Sequence, residues 1–223
     1  MNSWRFLFKN LGNSRQISAQ QLRTVFVFLI LYLIMVLPVS STNEAKSFLL
    51  PPLLMIQGIC LVTVLMQVDP IFRTDVHDGF LETWLANHGL SVRYYLGRHL
   101  LIFFEIIVPA VTLATLLAPS LTWPNHFLFL CLNLVIAILT SLWSSSIALL
   151  LTRNHDIGQS LVGMVLVPLF LIPQLLIGET ILQEMITSAI ALSHLWLYGG
   201  VSLLSMAINL ALAPIIIRLS IDC

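Results

Sequence analysis

Charge is what this chain has least of. Only 9% of its 223 residues are charged, ten acidic and ten basic, and the formal net charge is zero. With a balance like that, nothing suggests nucleic acid as a partner. Catalytic signatures are missing as well. There is no GxxxxGK[ST] loop to cradle ATP phosphates, and no GxSxG or HExxH to carry hydrolysis. The three cysteines, Cys60, Cys131 and Cys223, have no CxxC or Cys/His spacing of a zinc or haem-attachment site. Neither a metal, nor a cofactor, nor an enzymatic activity of its own is expected.

What fills the chain instead is hydrophobic side chain, 58% of residues, with a mean hydropathy of +0.97. That is too apolar for a water-soluble globule. A membrane-spanning helix needs roughly 20 mostly apolar residues. Six stretches approach this, near 24–41, 48–68, 99–118, 127–152, 161–178 and 195–217. The runs are continuous rather than alternating, which predicts helices and not barrel strands. Nine of the ten Lys and Arg residues fall on one side of this arrangement, and only Lys46 on the other. Positive charge collects on the cytoplasmic side, so both termini are predicted to be cytoplasmic. The first span reads as an uncleaved anchor, because no small-residue cleavage site follows it. No linker, low-complexity tract or internal repeat divides the chain, so residues 1–223 read as one all-α integral membrane domain with six spans.

The most polar stretch lies between spans two and three, about 69–98, and holds four of the acids and three of the bases. Within it, Phe80, Leu81, Trp84, Leu85 and His88 share one helical arc, and Glu82, Thr83, Ala86 and Asn87 the other. This predicts a short amphipathic helix on the cytoplasmic side, with Trp84 and Leu85 as anchors in a partner's groove. Asp75 and Asp78 sit where the helix dipole favours carboxylates, and Gly89 and Ser91 suit caps. Gly79 implies either a turn or the close approach of another backbone. The same division recurs at 179–190, where Ile181, Leu182, Met185 and Ile186 oppose Gln183, Glu184 and Thr187. It predicts an external amphipathic helix before the sixth span. In the leader, Trp4, Leu7, Phe8 and Leu11 at helical spacing fit a basic helix in the headgroup layer or a plain topology signal.

Polar residues within the spans are few. Glu105 is the candidate intramembrane functional acid, either in a substrate or proton path or paired with Arg98 seven residues earlier. Ser144, Ser145 and Ser146 fit close helix packing. Pro168 and Pro173 are expected to kink span five. His126 and His194 lie at the outer boundary, without the spacing or aromatic surroundings of haem ligands.

The run Phe72-Arg73-Thr74-Asp75-Val76-His77-Asp78-Gly79-Phe80-Leu81-Glu82 resembles the F-x-x-D-x-x-D-G-x-L-E stretch of the haem exporter protein B family. More loosely it is similar to the E-x-x-x-G-x-x-E-x-L coupling region of ABC-2-type permeases. Pro168 to Pro173, followed by Leu175-Leu176-Ile177-Gly178, resembles the proline-bearing fifth span of that family. His88-Gly89 stands where a proline usually follows the coupling helix, and the two span-five prolines are one residue further apart.

The resemblance implies a non-catalytic permease subunit of the ABC transporter complex for cytochrome c maturation. Such a subunit couples ATP hydrolysis on a partner of the haem exporter protein A type to haem delivery or release of the haem chaperone. It implies a homodimer of permease subunits beside the C and D subunits, in the bacterial inner membrane or, alternatively, the mitochondrial one. Phe72, Asp75, Asp78, Gly79, Leu81 and Glu82 carry over as coupling residues. The tryptophan-rich periplasmic motif of the C subunit is missing, so haem contact by this chain is not implied. An ABC-2 exporter of lipid, polysaccharide or drug, and a stand-alone membrane scaffold or enzyme, are the competing readings.

Overall fold

Peptide groups in hydrocarbon have no water to bond, so an apolar chain must satisfy them internally, and it does so here with helices. The structure, a computed structural model, describes residues 14–35, 50–88, 91–118, 121–151, 158–187 and 190–221. Among these the elements are α1 (Ser14–Met35), α2 (Leu50–His77), α3 (Phe80–His88) and α4 (Ser91–Ile102), a π turn (Phe103–Ile107), then α5 (Val108–Leu116), α6 (Trp123–Leu151), α7 (Gly158–Thr187) and α8 (Leu192–Ile221). The leader motif at Trp4 to Leu11 and the cap at Gly89 lie outside the described residues.

Five helical stretches are long and apolar enough to cross a membrane: Pro51–His77, Val92–Leu116, Trp123–Leu151, Val165–Thr187 and Leu192–Ser220. The chain is a multi-pass membrane protein. The apolar part of α1, Ala19–Ile34, is shorter. At 1.5 Å per residue it covers about 24 Å, less than the ~30 Å of a bilayer's hydrocarbon core.

Burial is inverted relative to a soluble protein. Phe26, Phe127, Leu203 and Leu204 point outward, while Gln57, Gln67, Asn133, Gln174 and Asn209 are buried between helices. Lipid accepts the apolar exterior, and inside the bundle Gln67 and Asn209 bond across helices while Asn133 bonds back to Phe129 O on its own helix. The most enclosed span is α6, which packs against α2, α7 and α8. Its three serines, Ser144 to Ser146, are buried there as close packing requires.

Two boundaries differ from expectation. The polar stretch at 69–98 is not mainly loop: α2 continues to His77 with Pro70 inside it, and α4 starts at Ser91. Nor is there a separate external amphipathic helix, because α7 runs unbroken to Thr187 through Pro168 and Pro173. The 181–186 stripe is simply the inward face of that helix, with Ile181, Leu182 and Met185 fully buried. No proline falls between 174 and 187 to stop the helix, so the pattern marks burial and not a new element.

Candidate functional site: a buried ion pair beneath a short helix

The site begins with a turn. Asp78 N–H donates to Thr74 O at 2.9 Å and Gly79 N–H to Val76 O at 3.1 Å, which closes α2. Gly79 has φ +67°, the left-handed conformation in which glycine ends helices at least cost. Its carbonyl then accepts from Thr83 N–H at 3.0 Å and from Thr83 Oγ1 at 2.8 Å, which opens α3. A Cβ at Gly79 would meet nothing within 4 Å. Of the two roles that the sequence allows this glycine, the turn is the one its φ shows, and no backbone of the described residues crowds it.

The wheel of α3 divides as its sequence indicates. Leu81 and Trp84 are buried, Phe80 and Leu85 are half-buried, and Glu82, Thr83, Ala86 and Asn87 are exposed. The apolar arc packs on this chain's own spans. Trp84, 1% exposed, lies 6.4 Å from the ring of Tyr94 on α4, and Phe80 lies 6.2 Å from it. Trp84 is therefore an internal strut in this chain and not a surface anchor. Phe72 of α2 completes the cluster, edge-on to Tyr94 at 6.4 Å and 5.4 Å from the His99 ring.

Asp75 sits in the middle of these rings. Its Oδ1 accepts from Arg98 Nη2 at 2.8 Å and its Oδ2 from the Tyr94 hydroxyl at 2.5 Å. One carboxylate of α2 thus holds two side chains of α4, one turn apart. Nearby, Asp69 pairs with Arg73 at 2.8 Å within α2. Asp78 and Glu82 face outward. Of the eight coupling candidates, Phe72, Asp75, Leu81 and Trp84 are buried, Gly79 and Leu85 are half-buried, and Asp78 and Glu82 are exposed.

Glu105 lies on the π turn, half-buried. It is not ion-paired with Arg98, whose partner is Asp75. The π turn leaves one carbonyl unserved. Val108 N–H donates to Phe103 O, and Pro109 has no N–H, so Phe104 O is left without a backbone donor. Gln21 of α1 supplies one, Nε2 to Phe104 O at 3.2 Å. A further clasp joins α1 to α2: Gln67 Oε1 accepts from Gln20 Nε2 at 2.8 Å and from Thr24 Oγ1 at 3.1 Å.

Deeper in the bundle the Tyr95 hydroxyl stands 2.8 Å from Asn209 Oδ1 and 2.8 Å from Ser145 Oγ, joining α4, α6 and α8. His99 bridges Tyr95 O and Ser145 Oγ. At the other end, His194 pairs with Glu184 Oε1 at 2.5 Å, and Glu184 Oε2 accepts from Ala191 N–H at 3.0 Å, tying α8 to α7. His194 meets only the Glu184 carboxylate, and the described residues contain no cluster of three metal-binding side chains. The roles of Tyr94, Gln67, Asn209 and Glu184 carry no signal in the sequence. Each bonds across helices, which periodicity along one helix does not report.

Comparison with protein families, with curated proteins and with solved structures finds no match to this chain. The functional reading therefore rests on the site itself and on the motif likeness at 72–82.

Proposed function

We propose that the chain is the non-catalytic, membrane-spanning permease subunit of an ABC transporter complex of the cytochrome c maturation type, and that its ATPase partner docks on α3. The observation that carries this is mechanical. The exposed arc of α3, Glu82, Thr83, Ala86 and Asn87, is polar and accessible, while its other arc is fastened to α2 and α4. A force on α3 passes through Trp84 and Tyr94 to the Asp75–Arg98 pair and so into two spans at once. An amphipathic helix resting only on lipid has no need of a buried ion pair under it. The motif likeness at Phe72, Asp75, Asp78, Gly79, Leu81 and Glu82 supports the same reading.

In this reading α1, 22 residues long, is a sixth crossing and both termini are cytoplasmic. Two permease subunits associate with two ATPase subunits of the haem exporter protein A type and with the C and D subunits, in the bacterial inner membrane. ATP hydrolysis belongs to the partner, and its work is delivery of haem or release of the haem chaperone.

The test uses the exposed arc alone, because loss of Trp84 would disturb the fold. Tagged protein extracted in mild detergent is expected to bring down an ATPase subunit, and Glu82→Lys with Asn87→Glu to lose it without loss of membrane insertion. Unchanged recovery of the ATPase with that double variant refutes the docking site. Purification with no ATPase at all refutes the reading.

A further inference from the structure

A cavity of about 580 Å³ lies between α1, α2, α4 and the π turn, walled by Gln20, Arg23, Gln67, Thr74, Arg98 and Glu105 among others. Gln20, Arg23, Thr74 and Arg98 sit toward the end of the bundle where α1 and the third span begin and α2 ends, and Gln67 and Glu105 lie about two turns deeper. That end is the level at which a span enters the headgroup layer.

The walls hold hydrogen-bond donors that have no acceptor among the described residues. Gln67 is 2% exposed, the two hydrogen bonds it accepts both fall on Oε1, and its Nε2 has no acceptor. Arg98 commits Nη2 to Asp75, while its buried Nε has no acceptor either. Arg23 is exposed on the cavity side of α1 and forms no ion pair with a described residue. Against these three donors stands one acid, Glu105, which also has no ion-pair partner among the described residues. The Gln67 amide and Arg98 Nε are enclosed by protein, so an occupant that fits must bring acceptor oxygens to the exposed parts of the Arg23 and Arg98 guanidinium groups, and a cation to the carboxylate. A simple anion leaves Glu105 unmatched. A simple cation leaves Arg23 unmatched, since Arg98 is already paired with Asp75.

The surroundings add a third requirement. Leu22 and Phe26 on α1, and Phe104 on the π turn, are exposed apolar side chains on the elements that bound the cavity. They offer acyl chains a surface to lie against. We propose that the cavity holds the headgroup of an aminophospholipid, its phosphate between Arg23 and Arg98 and its ammonium at Glu105. This rests on the chain's spanning a membrane and is independent of any ATPase partner.

The experiment takes the full chain, reconstitutes it in nanodiscs with equal phosphatidylethanolamine, phosphatidylglycerol and phosphatidylcholine, and counts retained lipids by native mass spectrometry. The protein is expected to keep phosphatidylethanolamine in preference to both others, since only that lipid brings phosphate together with an N–H donor. Glu105→Gln is expected to erase the preference over phosphatidylglycerol, Glu105→Asp to keep it, and Arg23→Gln to lower retention of every phospholipid. Both sites lie outside the Asp75 lock, so the variants should elute as the wild type does. Equal retention of the three lipids by wild type, or an unchanged preference in Glu105→Gln, overturns the proposal. So does displacement of the retained lipid by millimolar inorganic phosphate, which would mark a free-anion site.

Discussion

Arg98 reaches from α4 across to Asp75 on α2, and the two are joined at 2.8 Å with both side chains largely withdrawn from solvent. Their bond closes a loop of the chain that contains the whole of α3. Breaking a buried pair by removing one partner leaves the other charge uncompensated, at a cost of roughly 3–5 kcal/mol. Arg98→Ala should lower thermal stability in detergent by that order. Asp75→Asn with Arg98→Gln should cost clearly less than the sum of the two single changes, as measured in a double-mutant cycle. Additive losses would show that the pair is not coupled.

Gly79 should be sensitive to conformation and not to size. A left-handed residue with a Cβ costs about 1–2 kcal/mol, and asparagine less than most. With open space around the site, Gly79→Ala and Gly79→Leu should lose similar stability, while Gly79→Asn stays near wild type. A much larger loss for leucine than for alanine would bring back the idea of close backbone approach.

Gln21 and Pro109 should be energetically linked. Gln21→Leu removes the donor to Phe104 O, an exposed hydrogen bond, and should cost about 0.5–1 kcal/mol, the lower part of the range for a single hydrogen bond. In a Pro109→Ala background the backbone regains an N–H that can serve that carbonyl, so the same change should cost little. Thermal unfolding of the four proteins of that cycle decides the matter, and equal costs in both backgrounds would disprove the link.

Tyr95→Phe tests the deeper network. It takes the hydroxyl from Asn209 and Ser145, but interhelical hydrogen bonds in membranes average only about 0.6 kcal/mol. A loss of roughly 1 kcal/mol is expected, smaller than that of Arg98→Ala, because no charge is left buried. If the order of the two losses is reversed, the network and not the ion pair dominates the bundle.

What can be read from sequence is whatever repeats along a single helix. The split arc of α3 is legible because Leu81, Trp84 and Leu85 recur at helical spacing, and the long apolar runs announce the spans. Pairing between helices is not legible. Arg98 and Glu105 are seven residues apart and share a helical face, which favours them as partners on paper. Seven residues also put about 10 Å of rise between them, too far for contact, and Asp75 on another helix is closer. The register that brings α2 beside α4 is set by Phe72, Tyr94 and Trp84 together, and no one of them signals it alone.

The π turn at Phe103–Ile107 sets the phase of the third span. One residue in a regular helix is worth about 100° of rotation. Remove one from that turn and everything on its Arg98 side swings through roughly that angle against everything on its Leu116 side. Arg98 would leave Asp75, while the contacts of α5 would stay in place. The two ends of the bundle are indexed to one another by a single residue, as teeth index a pair of gears.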